Sequence, residues 1–344
     1  MRENNFDLLR FFAAIQVLIG HMIHHLKVDE GFIVSFYDII KFVPGVPVFF
    51  LISGFLIALS YDKNSNLKHY TKNRILRIYP ALYVNIFIGL AILYYFGFIE
   101  FNINFFKWLL AQMSIVQFYN SEMFRGFGVG VINGSLWTIS VELTFYLILP
   151  ILFWIYKANR WILLFLFIIS LLLWFYDETN STETFIDKLL HVSILPYLFI
   201  FIIGMLFYIY YEHLKRYIEN KFLYWLIGFT ILQLVSSHYN MELNIFVTIV
   251  KWIFFSFLVF SFAFSFKGVS NRILHGNDYT YGVYIYHMII INVFVHLNLY
   301  GETRYMVYVG ILSLLSGILS WHIIEKPFLR LKKNSVFNET NKND

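Results

Sequence analysis

Cysteine is absent from all 344 residues, so disulfides, thiolate catalysis and cysteine metal ligands are excluded, and thiols give no clue to redox compartment. Charge is scarce as well: Asp, Glu, Lys and Arg make up 14% of the chain, where a soluble domain carries about 25%. The net charge of +5 does not point to nucleic acid, because the basic residues lie in loops between apolar stretches rather than in one patch. Low-complexity tracts and clear internal repeats are missing. The first apolar run lacks a cleavage-type ending and carries Arg10, so it does not read as a removable signal peptide.

What fills the chain instead is hydrocarbon, at 59% hydrophobic residues and 21% aromatics. Apolar runs cover 11–26, 42–60, 81–98, 143–156, 161–176, 192–211, 222–235, 245–266, 281–299 and 305–324. A bilayer core about 30 Å thick is crossed by roughly 20 helical residues. Lipid offers the backbone no hydrogen-bond partners, so repeated long runs imply helices. A transmembrane barrel would show short alternating segments, and none occur. The sequence therefore predicts an all-α integral membrane protein. It reads as one domain over 1–330 with a short polar, disordered cytoplasmic tail at 331–344.

Topology follows from the lysines and arginines. The ambiguous stretch is 99–138, where a weak apolar piece (105–118) precedes the run MFRGFGVGVINGS. Counted as a crossing, it would put Lys157 and Arg160 outside. Taken as a re-entrant or interfacial segment, it leaves about ten transmembrane helices with both termini cytoplasmic. The cytoplasmic side then receives Arg2, the 63–77 cluster, Lys157, Arg160, Lys215, Arg216, Lys221, Lys267, Arg272 and the C-terminal group. The outer side keeps only Lys27, Lys41, Lys107, Arg125, Lys188 and Arg304, as the positive-inside rule demands.

Several polar constellations interrupt the hydrocarbon. In the first span, Arg10 and His21 are eleven residues apart, which brings them to within about 20° on one helix face, about 16 Å apart along the axis. Buried ionisable groups in a membrane helix are costly and tend to face a bundle interior or wet cavity. The alternative is that Arg10 snorkels to phosphate headgroups while His21 caps an interfacial end. In the 61–80 loop, Arg74 and Arg77 share a helix face at i,i+3 spacing and suit a phosphorylated donor. A headgroup anchor is the competing reading. Farther on, Asn133-Gly-Ser-Leu-Trp137-Thr-Ile-Ser-Val-Glu142-Leu-Thr-Phe-Tyr146 places a carboxylate just inside a helix, with Trp137 and Tyr146 available to stack on a sugar ring. Trp137 also fits an interfacial aromatic belt, and Glu142 a structural hydrogen bond. Ser53-Gly54 suits close helix packing, and His287, in YGVYIYH, reads as structural.

Together these segments resemble the bacterial membrane acyltransferase-3 family, which modifies cell-surface sugars. The resemblance runs from residue 4 to about 330. It rests on Arg10-x10-His21, FFLISGF (49–55), Arg74-x-x-Arg77-Ile-x-Pro80, SLWTISVELTFY (135–146), YGVYIYH (281–287) and Trp321…Glu325-Lys-Pro327. Two departures are a single polar residue at Glu142 and no serine leading the 281 motif. The resemblance implies an O-acyltransferase of the bacterial inner membrane, with the lipid bilayer as partner and acetyl-CoA or another short acyl-CoA as donor. The acceptor would be a hydroxyl of a surface polysaccharide such as O-antigen, or of its lipid-linked precursor. On this reading His21 is the general base or carries a transient acyl group, Arg10 stabilises charge and Glu142 orients. Arg74 and Arg77 hold coenzyme A phosphates, and no metal or nucleic acid takes part. Oligomeric state stays open. The rival is a non-catalytic transporter or flippase for a lipid-linked glycan, which would be expected to show inverted repeats. A polymerase would be expected to carry a larger outer loop.

Overall fold

The computed structural model describes residues 4–180 and 184–331. The polar tail from Lys332 onward, and residues 181–183 of the acidic loop, lie outside the described residues. Among those described there are helices and no strand. Seven helices are long and apolar enough to cross a bilayer: Phe6–Leu26, Gly45–Lys63, Leu67–Tyr95, Gly134–Ala158, Arg160–Thr179, Ile245–Phe264 and Thr303–Leu331. An eighth candidate is the pair Leu198–Ile209 and Tyr211–Ile218, bent by 95°. Two further apolar helices, Phe222–His238 and Thr280–His296, have 17 residues each. The protein is thus a multi-pass membrane protein. Between 99 and 138 the longest helix has 11 residues (Ile103–Met113), far fewer than a crossing needs. We number the helices α1 (Phe6–Leu26), α2 (Phe32–Ile40), α3 (Gly45–Lys63), α4 (Leu67–Tyr95), α5 (Ile103–Met113), α6 (Trp137–Ala158), α7 (Arg160–Thr179), α8 (Phe185–His191), α9 (Leu198–Ile209), α10 (Tyr211–Ile218), α11 (Phe222–His238), α12 (Ile245–Phe264), α13 (Val269–Leu274), α14 (Thr280–His296) and α15 (Thr303–Ser320).

Short polar side chains start several of these helices. Asn66 accepts from the backbone N–H of Lys68 and His69, Asn102 from Asn104 and Phe105, and Asn244 from Phe246 and Val247. Each cap satisfies donors that the first helical turn leaves orphaned. Thr184 and Asp187 form a reciprocal capping box at α8.

The chain divides into two compact units. The first comprises residues up to Ala13, Phe42–Asp62 and Val141–Gly276. Its core is aromatic: Phe6 packs on Phe55, Phe260 and Phe264, and Phe50 and Phe145 both pack on Phe201. Helices α3 and α9 touch backbone to backbone, since a methyl group at Gly54 would strike the Phe201 carbonyl and stand 3.0 Å from the Gly204 Cα. Small residues permit such approach where lipid supplies no hydrophobic drive between helices. Asn5 fixes the chain start by donating to the Ser265 carbonyl (2.5 Å) and accepting from the Ser270 N–H (3.0 Å).

The second unit comprises Ala14–Lys41, Lys63–Ser140 and residues from Asn277 on. Here α14 and α15 pack through Gly282 and Gly317, where a methyl group on Gly282 would lie 2.8 Å from the Gly317 Cα. Buried Asn292 on α14 gathers the irregular 128–132 stretch. Its amide donates to the carbonyls of Val131 (3.0 Å) and Ile132 (3.1 Å), and its oxygen accepts from the Val129 N–H (2.8 Å). Gly128 passes this asparagine with a φ of 54°, and any side chain there would collide with it.

Candidate functional site

In the second unit, the C-terminal half of α1 carries His21 towards α14. The Nδ1 of His21 lies 2.8 Å from the Nε2 of His287, with the ring planes 21° apart. His287 is completely buried. Two imidazole nitrogens at this separation share one proton, so one ring donates and the other accepts. His25 stands next along α1, its ring centroid 5.8 Å from that of His21, and His24 is exposed beyond it. Among the described residues, no group of three or more His, Cys, Asp or Glu is placed to hold a metal ion.

One turn before His287 on α14, the Asn133-Gly-Ser element is bolted to the helix. The carbonyl of Ile285 accepts from Asn133 (2.7 Å) and from Asn85 of α4 (2.8 Å). Asn133 also donates to Asn85 (3.0 Å), and Ser135 donates to Asn133 (2.7 Å). The Tyr284 hydroxyl pairs with Thr138 at 2.7 Å. A buried polar group needs a partner, and these satisfy one another around the helix that holds His287. Trp137, at the start of α6, is half-buried beside this network in the chain.

The two arginines of α4 have different surroundings. Arg74 lies with its guanidinium carbon 5.9 Å from the centre of the Tyr70 ring. Arg77 forms an ion pair with Asp278, just before α14, and its second nitrogen is 3.8 Å from Glu325. Glu325 is 2% exposed and ends a π-helical turn, Trp321–Glu325, where Ser320 donates to it at 2.9 Å. Trp321 donates to Asn277 at 2.9 Å. A phosphate at Arg77 would therefore compete with two carboxylates already present.

In the first unit, Glu142 of α6 is half-buried, and one of its oxygens accepts from Ser53 of α3 (2.7 Å) and from Tyr146 one turn on. Tyr146 is 6% exposed. Its hydroxyl is thus engaged by Glu142. Arg10 lies in the first unit on α1, half-buried.

The structure thus brings His21 together with His287, which the sequence marked only as a structural histidine of the YGVYIYH motif, and sets Arg77 among two acids. Nothing in the sequence pairs His287 with His21. Asp278 and Glu325 are 47 residues apart in sequence, and their common partner is a third element. A family profile described as an acyltransferase domain, of the acyltransferase-3 type, matches residues 3–325. The chain belongs to the acyltransferase-3 family. The match spans every residue of the His21, Arg77 and Glu142 clusters. The chain is also similar to Nodulation protein 10 of Rhizobium leguminosarum bv. viciae, at 31% identity over 97% of this chain and 95% of that protein. It is similar to the O-acetyl transferase of Shigella phage Sf6, at 26% identity over 95% of this chain and 96% of that protein. An uncharacterized protein of Haemophilus influenzae is 32% identical over 44% of this chain and 66% of its own length. No solved structure matches. This acyltransferase-3 protein is therefore a membrane acyltransferase, as its residue pattern predicts.

Proposed function

We propose that the protein moves an acyl group, acetyl in the first instance, from cytoplasmic acyl-CoA to a hydroxyl of a surface polysaccharide or its lipid-linked precursor, such as O-antigen. It would act in the bacterial inner membrane through ten helices with both termini cytoplasmic. The observation that carries the catalytic reading is the hydrogen bond from one nitrogen of His21 to buried His287, because it leaves the other nitrogen for a substrate. The phage relative, named as an O-acetyl transferase, supports the choice of acetyl and of a hydroxyl acceptor.

The chemistry asked of the site is one ester formed and one thioester broken. A neutral His21 removes the proton from the sugar hydroxyl as its oxygen attacks the thioester carbonyl carbon. An imidazole suits that task, its ordinary pKa lying near 6.5. The tetrahedral oxyanion then collapses, the carbon–sulfur bond breaks, and the proton passes to the departing thiolate to give free coenzyme A. Arg10, about 16 Å from His21 along α1, supplies positive charge to a donor phosphate. Arg74 and Arg77 hold the donor phosphates with their planar forks. Glu142 orients the acceptor from the outer half of α6, and Trp137 offers a face for the sugar. Transfer by way of an acyl-His21 intermediate uses the same residues.

The test is purified protein in lipid vesicles with acetyl-CoA and the lipid-linked glycan. Free coenzyme A should appear only when glycan is present, and the glycan should gain one acetyl mass. His21→Ala should abolish both at unchanged membrane insertion, and substantial turnover by that variant would falsify the assignment. A transporter would instead release no coenzyme A and leave the glycan mass unchanged.

A further inference from the structure

The ring of His287 has two edges, and the protein has determined what each one meets. Its Nε2 is the edge that meets His21 at 2.8 Å. Its Nδ1 makes no hydrogen bond among the described residues, and a helical side chain leans back over the preceding turn, which on α14 is that of Val283 and Tyr284. A carbonyl oxygen carries partial negative charge, so a ring nitrogen set over the carbonyls of that turn is better off bearing a hydrogen than a lone pair. With the hydrogen on Nδ1, neutral His287 presents a lone pair at Nε2. The proton shared by the two rings then belongs to Nδ1 of His21, and Nε2 of His21 is left with its lone pair. Other titratable groups around the pair are His25, whose ring is 5.8 Å from that of His21, His24 beyond it, and Tyr284, whose ring is 5.8 Å from that of His287. None of them takes the hydrogen bond between the two histidines.

We infer that His287 is a positioning residue that fixes His21 as the Nδ1–H tautomer with its Nε2 free to act as base. The inference rests on the acyl-transfer reading above and deepens it. A carboxylate fills this place behind the histidine in hydrolytic triads, where it holds the ring in the correct tautomer. A carboxylate within an apolar bundle would bring an added charge to be solvated. A neutral imidazole held completely buried on α14 performs the same orientation without that charge. The near-coplanar arrangement of the rings also restricts rotation of His21 about its Cβ–Cγ bond, so the lone pair points one way. This explains why a histidine in the middle of an apolar run is completely buried.

The decisive measurement is made on the wild-type protein, with one variant used only for assignment. Full-length protein carrying ¹⁵N-histidine, in lipid nanodiscs, should show His21, assigned by the signal lost in His21→Asn, with hydrogen on Nδ1 and a bare Nε2. Finding hydrogen on Nε2 of His21 in the wild-type protein would overturn the inference. Replacing His287 by Phe keeps the volume of a ring but removes the acceptor. That variant should show His21 hydrogen moved to Nε2 and kcat lower by about 10²-fold or more, with the KM for acyl-CoA unchanged. The His287→Gln variant presents an amide oxygen at a similar reach and should recover much of the loss. Turnover by His287→Phe within twofold of wild type would sink the positioning role even where His21→Ala is inactive. Activity retained by His21→Ala would instead remove the catalytic reading, and the tautomer measurement would still stand by itself.

Discussion

Glu142 is tied into the packing by two hydrogen bonds, and the proposed mechanism gives it a chemical task as well. Ser53 and Tyr146 both donate to the same oxygen of its carboxylate, and both donors sit on buried side chains, at 2% and 6% exposure. Removing the acceptor takes one hydrogen bond from each hydroxyl, and a buried hydroxyl left unsatisfied costs about 1–3 kcal/mol. Glu142→Ala should therefore lower the thermal midpoint in detergent as well as acyl transfer. Glu142→Gln keeps an oxygen that can accept from both donors and loses only the charge. It should keep the wild-type midpoint within a degree or two while losing most of its turnover. If both variants melt early, or if the glutamine variant is fully active, the carboxylate serves packing alone. The sequence made Glu142 conspicuous as a carboxylate in an apolar helix. It did not show that Ser53, 89 residues away, was its partner.

At the scale of elements, Arg77 is the tie between α4, the lead-in to α14 and the π-helical turn after α15. It faces Asp278 directly and Glu325 at 3.8 Å. The two ends of this tie are not equivalent. Arg77→Ala removes the cation that faces both carboxylates, of which Glu325 is almost fully buried, and breaking a buried pair this way costs about 3–5 kcal/mol. Asp278→Ala leaves the arginine with Glu325 still beside it, so the loss should be smaller. Thermal unfolding followed by tryptophan fluorescence should rank Arg77→Ala well below Asp278→Ala. An equal or reversed ranking would show that Glu325 is not held by Arg77. The Arg74-x-x-Arg77 spacing was visible in the sequence as one basic face. Only the folded chain divides it into an arginine beside a tyrosine ring and an arginine among acids.

At the scale of the whole molecule, the lack of cysteine becomes a tool, because any thiol introduced is unique. The proposed topology of ten spans with cytoplasmic termini would place Asp29, Glu242 and Glu302 outside and Asn64 and Lys267 inside, all on exposed positions. Single cysteines at the first three should react with a membrane-impermeant maleimide in intact spheroplasts, and those at the last two only after lysis. Labelling of Asn64→Cys in intact spheroplasts would reverse or break the topology. The loop between 99 and 138 bears on the same count. Its longest helix, 11 residues, rises only about 16 Å at 1.5 Å per residue, which is why it adds no full crossing.

The sequence by itself determined that this is an all-α membrane protein, and its ordered motifs identified the acyltransferase-3 family. Both are written locally: a run of apolar residues must become a helix in lipid, and a motif is read within a few turns of chain. Arg10, His21, Arg74, Arg77 and Glu142 were legible because charge and polarity stand out against hydrocarbon. Their partners were not. His287 is separated from His21 by 266 residues and Asp278 from Arg77 by 201, and no periodicity encodes contacts across such separations. Only the tertiary structure decided that His21 has an imidazole rather than a carboxylate behind it, because a hydrogen bond depends on where two distant helices bring their side chains.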